Sequence, residues 1–160
     1  MSSDATDPTP ARRPVSRFEQ LAKVVLVIAL VVVAVAAGFV IPATADQAPE
    51  RLPLAIVAVV LAAALPTLAL FGLLVGAPWR RPVAGTALWF LVLSGLLETV
   101  TQGASGTLSV PFLAITAVFV LADRAPRRVE GYGGMRALAV GLGVAALVWY
   151  LVGLALTSSA

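Results

Sequence analysis

The chain has 160 residues, of which 60% are hydrophobic and only 12% charged, and it carries a net charge of +3. A soluble domain is nearer half apolar and a quarter charged. With neither cysteine nor histidine, the chain lacks disulfides, thiolate metal sites, the commonest metal ligand and the usual general base.

The apolar excess lies in blocks free of charge, and a block of ~18 or more such residues reads as a membrane span. Residues 1–20 are polar, with Pro8, Pro10 and Pro14 and the arginines Arg12, Arg13 and Arg17. That composition predicts a disordered cytoplasmic tail. Residues 21–160 form one transmembrane helical domain. Its first span covers 24–41, and Pro42 ends it before the polar loop ATADQAPER. The second covers 53–76 with Pro66 inside, where neighbouring helices can re-satisfy the carbonyl that a proline frees. The basic loop PWRRP precedes a third span over 84–100. The polar, glycine-bearing stretch TQGASG reads as a tight turn into a short fourth span, 108–122. The basic segment DRAPRRVEGYGG leads to the last span, 137–156.

A single helix over 84–122 would far exceed a ~30 Å hydrocarbon layer at ~1.5 Å per residue. Two short spans forming a hairpin fit better, and a re-entrant hairpin is the competing reading. Charge decides between them. The basic residues are Arg12, Arg13, Arg17, Lys23, Arg51, Arg80, Arg81, Arg124, Arg127, Arg128 and Arg136. With five spans and the N-terminus inside, only Arg51 falls outside, which is a positive-inside pattern. With four spans, the last four of these arginines would lie outside and the bias would fade. The predicted fold is therefore an all-α integral membrane protein of about five hydrophobic helices, N-terminus inside and C-terminus outside. The basic residues are topology signals, aided by anionic lipid, and call for no nucleic acid. Ala43-Thr44-Ala45 has the form of a signal-peptidase site, but the preceding apolar run exceeds the usual ~7–15 residue core, so the first block reads as a retained span.

Glu98 is the one ionisable side chain inside an apolar block, and intramembrane charges are functional by default. With Thr99, Thr101 and Gln102 it could face a partner helix or an ion path. Because it stands about a helical turn from TQGASG, the preferred reading is that it reaches headgroups or water. Small residues four apart, Ala34 with Gly38 and Gly141 with Ala145, permit close helix approach. Gly143 and Gly153 add to the small residues of the last span. Trp79 belongs at the cytoplasmic interface beside Arg80 and Arg81. Trp89, Trp149 and Tyr150 read as anchors and packing. The glycines of GYGG lack the spacing and lysine of a phosphate loop and read as a flexible turn. There is no metal cluster, nucleophile–base pair or carboxylate pair, so neither an enzyme nor a cofactor is expected. The candidate partner contacts are Glu98, Gln102, Gly38 and Pro66.

The layout resembles a known family. A basic tail and one span come first, then RLPLAIVAVVLAAALPTLALFGLL opening on a proline. The short hairpin LLETVTQGASGTLSVPFLAITAVFVLADR follows, and GYGGMRALAVGLGVAALVWYLVGLAL closes the chain. From about Lys23 onward this is similar to the small membrane subunit of bacterial tripartite tricarboxylate transporters, the TctB family. The family often has a Gly-Pro-Gly-aromatic-aromatic-Pro run before the second span. Here the stretch is Ala48-Pro49-Glu50-Arg51-Leu52-Pro53, sharing the final proline. The resemblance implies a structural role in the bacterial cytoplasmic membrane. It also implies a large multi-span permease subunit and an extracytoplasmic solute-binding protein as partners, with carboxylates as cargo. The other readings are a standalone small membrane protein, holin-like or envelope-stress, and the small subunit of a TRAP-type transporter.

Overall fold

The computed structural model describes residues 16–102, 109–122 and 132–158. Five α-helices account for nearly all of these: α1 Arg17–Gln47, α2 Leu52–Val75, α3 Arg80–Gln102, α4 Ser109–Ala122 and α5 Gly133–Ser158, with one 3-10 turn, Pro49–Arg51, before α2. No strand occurs among the described residues. The all-α membrane architecture expected from the apolar blocks is what the chain adopts. α1, α2, α3 and α5 are each long and apolar enough to cross a membrane. α4 has 14 residues, about 21 Å at ~1.5 Å per residue.

The helix ends depart from the apolar blocks in instructive ways. Ser16 caps α1, its Oγ accepting from the Glu19 backbone N–H at 3.3 Å, so Arg17–Gln20 are helical and not part of the tail. Pro42 does not end α1, which continues to Gln47. A proline removes one hydrogen bond and crowds the carbonyl four residues back, here that of Gly38. Ala43 and Ala45, which follow the proline, favour continued helix, and Thr44 Oγ1 donates to the Val40 carbonyl at 2.7 Å. α3 starts at Arg80, so the third helix is 23 residues long and is not a short span. Gly133 and Gly134, expected in a flexible turn, belong to the first turn of α5. α2 stops at Gly76, whose φ of 73° is a left-handed conformation that suits glycine. Most of TQGASG, the arginines of the fourth loop and the first 15 residues lie outside the described residues.

α3 packs against all four other helices, most extensively α4, and α2 packs against α1, α3 and α5. The buried positions follow the helical period. On α1 they are Phe18, Ala22, Val25, Leu26 and Ala29, and on α3 Val83, Ala84, Ala87 and Leu88. The stripe on α1 covers only one end of that helix, whereas α3 is buried again at Gly95 and Glu98. No α1 residue beyond Ala29 is buried, and Phe39 is 74% exposed. The core therefore sits where the N-termini of α1 and α3 meet the C-terminal half of α2. Three glycines set close approaches. A Cβ on Gly95 would meet Ala114 Cβ and would stand 2.9 Å from the Val110 carbonyl of α4. A Cβ on Gly143 would meet the Phe90 ring, and one on Gly72 the Trp79 ring.

Candidate functional site

Two polar features stand out, one at each end of the bundle. At the core end, Glu19 is 5% exposed. Its Oε1 accepts from Arg80 Nε at 3.1 Å and from Arg81 Nε at 2.7 Å. Arg80 Nη1 also donates to the Gly76 carbonyl at 2.8 Å and the Ala77 carbonyl at 3.2 Å. One carboxylate thus clasps two guanidiniums 61 and 62 residues away and ties the start of α1 to the start of α3. Charge-assisted bonds of this kind are the stronger ones. Glu19 falls just outside the first apolar block, so a search for charges within blocks passes over it. A signal was present. Ser16-Arg17-Phe18-Glu19 has the S-x-x-E form of a capping box, which places a helix start there. Nothing in the sequence says that the Glu19 side chain leaves its own helix for two arginines.

Toward the other end lies a half-open cleft of ≈ 250 Å³ to which all five helices contribute. α3 gives it Ala87, Phe90, Leu91, Ser94 and Glu98, a spacing that puts all five on one helical face. α2 lends Pro66 and its neighbours, α5 lends Gly143, Ala146 and Tyr150, and Val33 and Val110 come from α1 and α4. The lining is apolar apart from Ser94, Glu98 and the Tyr150 hydroxyl. Glu98 is 8% exposed. The expectation that it reaches headgroups or water is thus corrected: the face bearing Glu98 is turned into the bundle, because α2 and α5 cover it. Near the rim Thr101 Oγ1 and Tyr150 OH are 3.3 Å apart, linking α3 to α5.

Of the four candidate contacts, the structure brings Glu98 and Pro66 to this cleft. Gln102 is the last residue of α3, and its side chain is outside the described residues. Gly38 lies on α1, exposed, with nothing within 4 Å of where its Cβ would be. Ala34, Gly141 and Ala145 are exposed as well, so neither small-residue pair is used inside the chain. Trp79 covers Gly72 and packs against the core, a tighter role than an interfacial anchor. Among the described residues no three acidic side chains group as a metal site would require.

No family model matches the chain, and neither a curated protein nor a solved structure does. Fold and composition define its class, an all-α protein whose apolar helices associate with a lipid bilayer.

Proposed function

We propose that this chain is a small accessory subunit of a bacterial secondary transporter, packing in the cytoplasmic membrane beside a large multi-span permease, as the small subunits of tripartite tricarboxylate transporters do. The permease would carry carboxylates brought by an extracytoplasmic solute-binding protein. The observation that carries the reading is how little the helices bury of themselves. α1, α2 and α5 bury 17%, 17% and 11% of their most apolar stretches within the chain, against 39% for α3. The outward small-residue pairs on α1 and α5 suit close approach by another helix. Among the described residues the buried charged or polar side chains are Glu19, in the clasp, and Glu98, in the cleft, and a transport path of its own would need more.

Co-expression with the permease of a neighbouring gene tests this. Affinity-tagged chain, extracted in mild detergent, should bring the permease with it in a fixed ratio through size exclusion. If the chain elutes alone, it is a standalone membrane protein and the subunit reading fails.

A further inference from the structure

We propose that the Glu19–Arg80–Arg81 clasp binds the phosphate of an anionic phospholipid, with Arg81 as its main ligand and Lys23 beside it. The proposal goes beyond the subunit reading and needs no permease to be tested.

Three observations converge. The first is the charge balance of the clasp. Two guanidiniums share one carboxylate oxygen, at 3.1 and 2.7 Å. Arginine keeps its proton in a protein, so the trio carries at least one positive charge in excess. Glu19 engages Arg81 through Nε alone. Nη1 and Nη2 of Arg81, and Nη2 of Arg80, make no hydrogen bond among the described residues. Their N–H groups lie in the planar fork that matches phosphate oxygens. The Arg81 side chain is 37% exposed, so a ligand can reach them.

The second is rigidity. Arg80 Nη1 is tied to the carbonyls of Gly76 and Ala77. The turn leading to both arginines is closed by the Ala77 N–H on the Gly72 carbonyl at 3.0 Å and the Arg80 N–H on the Ala77 carbonyl at 3.1 Å. The guanidiniums are thus held before any ligand arrives, which lowers the cost of binding. Lys23 stands one turn beyond Glu19 on the same face of α1. Its side chain leans back toward the start of the helix, and it makes no ion pair among the described residues.

The third observation favours a lipid over a free phosphate. Apolar surface faces outward directly beside the clasp. Leu21 and Val24 follow Glu19 on α1, and Leu74 and Val75 end α2 just before Gly76, all of them exposed. A phosphate at Arg81 sets the acyl chains of the same molecule against that surface. The surrounding charge has the matching sign. α5 starts at this end too, since Tyr150 in its second half meets Thr101 near the finish of α3. Among the described residues the clasp end therefore carries Arg17, Lys23, Arg80, Arg81 and Arg136 against Glu19 alone, while Asp46, Glu50 and Arg51 mark the far end of α1. Such asymmetry draws an anionic headgroup to the clasp.

Native mass spectrometry of the full chain, released from detergent micelles holding dioleoyl phosphatidylglycerol or dioleoyl phosphatidylcholine, tests the site. The first phosphatidylglycerol per chain should bind about tenfold or more tighter than phosphatidylcholine, which has the same tails but no net charge. Arg81→Gln should remove that preference. Lys23→Gln, which leaves every bond of the clasp in place, should reduce it about fivefold. Arg136→Gln removes the same charge from α5, which does not touch α1, and should change it less than about twofold. Equal affinities for the two lipids overturn the proposal, and so does displacement of the lipid by excess inorganic phosphate. A loss in Arg136→Gln as large as that in Lys23→Gln overturns it as well, because the attraction would then belong to the whole end of the bundle. If Arg81→Gln does not elute as a single species, the comparison of Lys23→Gln with Arg136→Gln decides.

Discussion

Glu19 and Glu98 are buried acids with opposite surroundings. Glu19 meets two guanidiniums at 3.1 and 2.7 Å, whereas Glu98 lies in a largely apolar cleft. Removing the charge of Glu19 leaves Arg80 and Arg81, whose side chains are 27% and 37% exposed, without their shared acceptor. A hydrogen bond to a charged group contributes roughly 1.5–3 kcal/mol, and the exposure of the arginines reduces that through solvent screening. Glu19→Gln should therefore destabilise the chain by about 1–2 kcal/mol, seen as a lower unfolding midpoint in detergent. An unchanged midpoint would reduce the clasp to a surface ion pair. The two acids also show what a sequence reveals at this scale. Glu98 was legible because a lone charge in an apolar run is conspicuous. Its burial was not, because that depends on where α2 and α5 cross α3. Glu19 was hidden in a polar stretch, and its partners are two helices away along the chain.

Among the helices, glycines divide into those that hold neighbours and those that face outward. Gly95 allows the closest approach in the α3–α4 hairpin, where a Cβ would stand 2.9 Å from a backbone carbonyl that cannot swing aside. Gly95→Ala should force the pair apart and lower stability by about 1–3 kcal/mol. Gly38→Ala meets no atom, and alanine is the better helix former by up to ~1 kcal/mol, so this variant should be as stable as wild type or more so. Paired thermal melts of the two variants in detergent check this contrast, and equal losses would contradict the packing described. The apolar blocks made all five helices legible. Their ends were not, because caps and short polar flanks decide them. Pro42 and the glycines before α5 suggested breaks, yet both lie within helices. The small-residue pairs predicted close contact, but within this chain the contacts are made by Gly72, Gly95 and Gly143.

For the molecule as a whole, the clasp puts the starts of α1 and α3 at one end, as two intervening crossings demand. On the proposed topology this end faces the cytoplasm, and five crossings would place the C-terminus outside. A reporter fused after Ser159 should give an external signal, and a cysteine at Ser105, in a chain otherwise free of cysteine, should react with an impermeant thiol reagent added from outside. A cytoplasmic signal from the fusion would mean that the α3–α4 hairpin does not complete two crossings.

The described part of α4 has a consequence for the lipid itself. Its 14 residues reach ~21 Å, about 9 Å less than a ~30 Å hydrocarbon layer. A crossing made by these residues alone would compress the acyl chains beside them or draw flanking polar groups inward, each at a fraction of a kcal/mol per ångström. That strain would grow with acyl-chain length, so such a crossing would favour a thin bilayer over a thick one.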